Sequence, residues 1–151
     1  MIVKCKDLND TDRLANIVSK FVFRGFLILA NGDLGAGKTR FAKALAKELG
    51  VSSNVTSPTF NILKCYEGKE YDFYHIDAYR LEGMKQDLGL EEFIEGDGIC
   101  FVEWSEYIDY IIPQEYLIMN ISIDIEGERI FNIDAKGDKY INVIKEIERL
   151  W

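Results

Sequence analysis

A chain of 151 residues, 48% apolar and 13% aromatic, has the material for one ordinary hydrophobic core and needs no linker or disordered tail. Twenty-six acidic against eighteen basic residues leave a formal charge of −8, which opposes direct binding to a nucleic-acid backbone and leaves any RNA to a protein partner. No apolar stretch approaches the roughly 18–20 residues of a membrane span, and Met1-Ile2-Val3-Lys4-Cys5-Lys6 is no secretory leader, so the expectation is a cytoplasmic protein with no membrane contact.

Val3 and Cys5 alternate with polar neighbours as a short edge strand, and Asp10 or Thr11 then opens a helix with Leu14, Ile17, Val18 and Phe21 on its apolar stripe. The uninterrupted apolar run Phe26-Leu27-Ile28-Leu29-Ala30 reads as a buried parallel strand. Gly32-Asp33-Leu34-Gly35-Ala36-Gly37-Lys38-Thr39 follows at once and is a complete phosphate-binding loop. Beyond it, from near Lys38, Phe41, Ala42, Leu45 and Leu49 line a helix that stops at Gly50. Strand, loop and helix stand in the order the chemistry needs. The glycines let successive backbone N–H groups converge on a β-phosphate, and the helix turns its positive end toward the same charge. Lys38 then reaches the β- and γ-phosphates, and the Thr39 hydroxyl is placed to hold Mg²⁺.

Residues 51–58 read as a polar loop. Strands over 60–66 and 71–76 are joined by the turn Glu67-Gly68-Lys69 into an antiparallel hairpin. Residues 81–95 carry Gly83 and Gly89 and are expected to form two short helices. Residues 99–102 form a second apolar strand that ends in Glu103, followed by a helix over 105–111 and a break at Pro113. Leu117, Met119, Ile121, Ile123 and Ile125 then alternate with mostly polar residues, a return strand covers 129–133, and a helix over 139–150 closes the chain. The fold expected is α/β: a single P-loop NTPase domain over residues 1–151, with a central mixed sheet flanked by helices.

Hydrolysis needs a carboxylate facing the phosphates, and Glu103, at the end of an apolar strand, is the best candidate. Asp77 offers a second, either as a surface acid or as a group that positions water. His75 has no zinc set or nucleophile beside it, which favours a structural hydrogen bond over a general-base role. Trp104 either packs near a nucleotide, stiffens Glu103, or serves as a core or partner aromatic, and Arg80 contacts phosphate, a partner carboxylate or solvent. Cys5, Cys65 and Cys100 lack metal-ligand spacing and read as small buried side chains. Ala135-Lys136-Gly137-Asp138 echoes a guanine-reading motif without its leading asparagine and reads as a turn before the last helix.

These motifs together resemble those of the bacterial TsaE family, the ATPase component of tRNA threonylcarbamoyladenosine biosynthesis. The phosphate loop, Thr56-Ser57-Pro58-Thr59-Phe60 as a switch-like segment, His75-Ile76-Asp77-Ala78-Tyr79-Arg80-Leu81 and Phe101-Val102-Glu103-Trp104 carry the likeness, which extends over essentially the whole chain. The resemblance implies an ATPase that uses ATP and Mg²⁺, is weak alone and acts with the TsaB and TsaD proteins, reaching tRNA only through that complex. It implies Lys38, Asp77 and Glu103 as catalytic, Thr39 and Glu103 as metal ligands, and Thr59 as the sensor of the γ-phosphate. Thr11 resembles the region that closes over the base, although a helix cap already explains a threonine there, and Asp33, Leu34, Gly35, Ala36, Gly37, Lys38, Thr39 and Arg40 would wrap the phosphates. Arg40 departs from the threonine common in the family after Lys38-Thr39. A small-molecule kinase shares the loop but needs an acceptor pocket and an arginine-rich lid that the sequence does not display, and an ATP-responsive adaptor would need occupancy without turnover.

Overall fold

The run around residues 26–30 is apolar throughout because it is buried on both faces. Phe26, Ile28 and Ala30 belong to the larger of two hydrophobic clusters, while Leu27 and Leu29 belong to the smaller one. A computed structural model describes residues Met1–Trp151. Its elements in chain order are β1 (Ile2–Cys5), α1 (Leu8–Ser19), β2 (Leu27–Asn31), α2 (Lys38–Glu48), β3 (Leu63–Tyr66), β4 (Phe73–Asp77), α3 (Glu91–Ile94), β5 (Ile99–Glu103), β6 (Tyr116–Ile123), β7 (Arg129–Lys136) and α4 (Asp138–Leu150). Short 3₁₀ turns lie at Tyr79–Leu81 and Ser105–Ile111.

One seven-stranded sheet runs β1-β7-β6-β2-β5-β4-β3. The central pairings β6-β2, β2-β5 and β5-β4 are parallel, whereas β3-β4, β6-β7 and β1-β7 are antiparallel. The expected mixed sheet is therefore present, with the parallel strands at its centre. Helices α1, α2 and α4 supply Leu14, Phe41, Leu45 and Ile147 to the larger cluster on one face. On the other face Leu81, Leu90, Ile94 and Ile108 cover Leu27, Leu29 and Val102. No helix is long and apolar enough to cross a membrane.

Several boundaries differ from the expectations. Helix α1 starts at Leu8 under an Asp7 cap: the Asp7 side chain accepts from Asp10 N at 3.0 Å, and the Asp10 carboxylate accepts from Lys6 N at 2.9 Å. Thr11 is thus inside the helix and does not cap it. Phe21 lies past the end of α1 at Ser19. Strand β3 begins only at Leu63, because Ile62 takes a positive φ of 65° and donates its N–H to Pro58 O at 2.7 Å, closing a turn where the extended chain was expected. Between 81 and 95 only Glu91–Ile94 is α-helical, so the two helices expected there reduce to one turn of helix and an irregular segment after the 3₁₀ turn. Strand β7 runs on to Lys136, which puts half of the guanine-motif echo in a strand. Cys5 and Cys100 are buried as expected, but Cys65 is exposed on the outermost strand.

Candidate functional site

The tight exit from β2 is enforced by contact. Gly32 has a φ of +147°, and a Cβ there would lie 2.2 Å from Ile121 O on the neighbouring β6. Only glycine lets the chain leave the sheet so close to that carbonyl. Gly37, at φ +117°, then turns the loop into α2, with Lys38 and Thr39 in its first turn.

Glu103 ends β5 opposite Ala30 on one side and Asp77 on the other. In-register partners on parallel strands point to the same face, so the two carboxylates emerge side by side beneath the loop. Asp77 and Glu103 are only 6% and 3% exposed, which makes their partners decisive. The Thr39 hydroxyl lies 3.0 and 2.9 Å from the two Glu103 oxygens, and His75 Nε2 lies 2.5 Å from Oε2. Asp77 Oδ1 accepts from Tyr79 N at 3.0 Å, and Oδ2 accepts from the Ser57 hydroxyl at 3.2 Å. Ser57 Oγ in turn lies 2.6 Å from Thr59 Oγ1, so the 56–60 segment is tied to the strand-end acids through one hydroxyl.

Lys38 is also buried. Its ammonium donates to the carbonyls of Gly32 and of Asp33, the latter at 2.8 Å, and stands 4.4 Å from the Trp104 ring centroid. Burial pushes the Lys38 pKa below the usual lysine value, while the Glu103 and Asp77 carboxylates push it back up. Trp104 itself takes a left-handed backbone at φ 58°, and its indole stacks on Tyr107 at 5.7 Å and packs on Tyr79 at 5.0 Å. The ring thereby forms one wall of the site directly after Glu103.

These groups open on a cavity of about 480 Å³, within the roughly 300–1,000 Å³ of small-molecule sites. Thr11, Leu34, Gly35, Gly37, Lys38, Thr39, Arg40, Thr59, Asp77 and Glu103 all line it. Asp33 and Ala36, expected at the phosphates, do not line it: the Asp33 carbonyl accepts from Lys38 and from Ala36 N, the latter at 3.0 Å, and Ala36 is buried. Arg40 pairs with Asp12 at 2.5 Å, so its charge is partly engaged away from the loop. Arg80 is exposed, with its guanidinium 4.5 Å from the Phe60 ring centroid, and is not in the cavity wall. Neither Lys136 nor Asp138 lines the cavity, and Lys136 lies 5.7 Å from the Tyr116 ring centroid.

Sequence reasoning missed Leu8, Ser57, Tyr79, Arg129 and Phe131 as wall residues. Ser57 and Tyr79 adjoin Thr59 and Asp77 and were within reach of motif reading. Leu8, Arg129 and Phe131 carry no local signal, because only the pairing of β1 and β6 with β7 brings residue 129 under the loop. The donor set suits a hard divalent cation: a hydroxyl and a carboxylate oxygen converge beside the glycine-rich loop, with no thiolate in the wall.

The sequence profile of a family described as "Threonylcarbamoyl adenosine biosynthesis protein TsaE" matches residues 5–131. A Bacillus subtilis (strain 168) protein named tRNA threonylcarbamoyladenosine biosynthesis protein TsaE is 39% identical over 140 residues, 93% of this chain and 89% of its own length. A Treponema pallidum (strain Nichols) protein of the same name is 34% identical over 126 residues, covering 82% of this chain and 93% of its own. The crystal structure of Bacillus subtilis YdiB superposes with a TM-score of 0.86 at 33% identity, over 99% of this chain and 94% of that one.

Proposed function

The chain belongs to the TsaE family, and from that premise we propose that it is a Mg²⁺-dependent ATPase supporting a TsaB–TsaD complex in threonylcarbamoyl modification of the tRNA adenosine beside the anticodon. Residues 1–151 act as one ATPase domain in the cytoplasm, and tRNA is reached through the partners, in keeping with the chain's charge of −8. The observation that carries the reading is the meeting of Lys38, Thr39, Asp77 and Glu103, drawn from the first turn of α2 and the ends of two strands, in the wall of one cavity.

The amides of the loop other than that of Ala36, which Asp33 O holds, would receive the phosphates, and Lys38 would exchange its bonds to the Gly32 and Asp33 carbonyls for the β- and γ-phosphate oxygens. Thr39 Oγ1 and Glu103 hold Mg²⁺, which when bound neutralises the charge that builds on those oxygens. Asp77, kept in place by Tyr79 N and Ser57, orients the attacking water, and Thr59, bonded to the same Ser57, reports the γ-phosphate. Thr11 and Arg40 line the end of the cavity next to α1, which would take the adenine. ATP is preferred to GTP, since Lys136 and Asp138 stand outside the wall.

Reconstitution with purified TsaB and TsaD provides the test. Phosphate release and multiple-turnover tRNA modification should both depend on this chain, on ATP and on Mg²⁺, and Asp77→Asn should lower both while ATP-dependent assembly persists. A complex that modifies tRNA equally well without the chain would overturn the assignment, and equal modification with a nonhydrolysable analogue would replace the ATPase with an occupancy-driven adaptor.

A further inference from the structure

His75 is fully buried in the row Phe73, His75, Asp77, which faces the larger cluster and ends at the cavity. It stands in register with Phe101, two residues before Glu103 on the adjacent strand. Its Nε2 lies 2.5 Å from Glu103 Oε2, so the tautomer with hydrogen on Nε2 donates to that oxygen. The other nitrogen, Nδ1, has no partner, and the rings of Phe73 and Phe101 lie 6.2 and 5.7 Å away.

A histidine kept for the fold alone would ordinarily satisfy both ring nitrogens, since a buried polar atom without a partner is costly. Here the sole bond is spent on Glu103. We propose that His75 is a positioning residue for Mg²⁺: its Nε2–H pins Oε2 and fixes the plane of the Glu103 carboxylate so that Oε1, which also meets Thr39, is presented to the cation. The inference rests on the reading of Glu103 as the metal-holding carboxylate. Its physical content is that the Glu103 carboxylate is otherwise held only by the Thr39 hydroxyl, which bridges both oxygens, and a second partner fixed to one oxygen sets its plane before the metal arrives.

The test is a Mg²⁺ titration of ATP binding to the whole chain, read by fluorescence, since the Trp104 indole sits against Lys38. His75→Leu, which removes the donor, should raise the Mg²⁺ needed for half-saturation by about 10-fold or more, the usual cost of losing an outer partner. Nucleotide binding without Mg²⁺ and the thermal midpoint should stay near wild type. His75→Gln, which keeps an N–H at similar reach, should restore most of the affinity, while His75→Asn, too short to reach Glu103, should behave as the leucine variant does. In the Glu103→Gln background, His75→Leu should add no further loss.

A wild-type Mg²⁺ dependence in His75→Leu or His75→Asn would overturn the proposal. So would equal defects in the glutamine, asparagine and leucine variants accompanied by lowered thermal midpoints, which would mark His75 as a packing residue. If Glu103→Gln itself leaves the Mg²⁺ dependence unchanged, the metal role of Glu103 fails first and His75 has nothing to position.

Discussion

Lys38 holds its charge where charge is unfavourable. Its pKa lies below the lysine norm because of burial, so the protonated form costs folding stability at neutral pH, and that cost is relieved as the pH rises through the lowered value toward 10.5. Lys38→Ala should therefore unfold within a few degrees of wild type at pH 7 in a thermal melt. It should also lose about 10–100-fold in MgATP affinity, the worth of roughly 1.5–3 kcal/mol of charge-assisted bonding. Wild type should bind progressively more weakly as the pH climbs in the range below 10.5, whereas the alanine variant should show a flat profile there; a sloping profile in both would remove Lys38 from the phosphates. The three thiols make a separate prediction about burial. At pH 8 a disulfide reagent should modify Cys65 in the native protein and reach Cys5 and Cys100 only in denaturant, because Cys65 alone is exposed and burial pushes the Cys5 thiol up to about 11. Fast modification of all three without denaturant would contradict the packing described.

The elements most legible in the sequence were those whose identity is decided locally. Strands β2 and β5 announce themselves as unbroken apolar runs, α2 by its stripe and by Gly50, and the phosphate loop by a contiguous pattern. What was not legible depends on partners distant in sequence. Leu8 is 56% exposed and lies off the apolar stripe, so the start of α1 was hidden behind Asp7. Strand β3 was overextended because nothing in Phe60-Asn61-Ile62 betrays the turn at Ile62. That Asp77 and Glu103 share one level of the sheet follows from the β4-β5 register, which no local pattern encodes. Two of the loop's three glycines, Gly32 and Gly35, separate these kinds of constraint. Gly32→Ala drives a methyl into the Ile121 carbonyl and should destabilise the protein by about 2–4 kcal/mol in chemical denaturation. Gly35→Ala meets nothing within 4 Å and bears only its φ of +79°, so about 1 kcal/mol is expected. Equal losses at the two positions would show that contact with β6 does not shape the loop.

As a whole, the molecule keeps an excess of acidic residues and gathers Lys38, Thr39, Asp77 and Glu103 in one cavity against the larger cluster, beside the exposed Phe60 and Tyr79. The order of strands has a consequence for how such a protein comes to exist. Strand β2 carries the phosphate loop, yet both of its neighbours, β5 and β6, come later in the chain, and β1 pairs only with β7. While a ribosome is making the first hundred residues, the nucleotide loop hangs from an unpaired strand and its carboxylates have no common level to share. Because long-range parallel pairing is slow and leaves open edges exposed, the nascent chain should remain unable to bind nucleotide until β6 has emerged. A chain ending at Pro113 should accordingly show neither cooperative unfolding nor MgATP binding, measured by circular dichroism and fluorescence. Nucleotide capture by that fragment would mean the loop folds without its downstream strands, whereas its failure would make synthesis of the C-terminal hairpin the moment at which the protein first acquires a function.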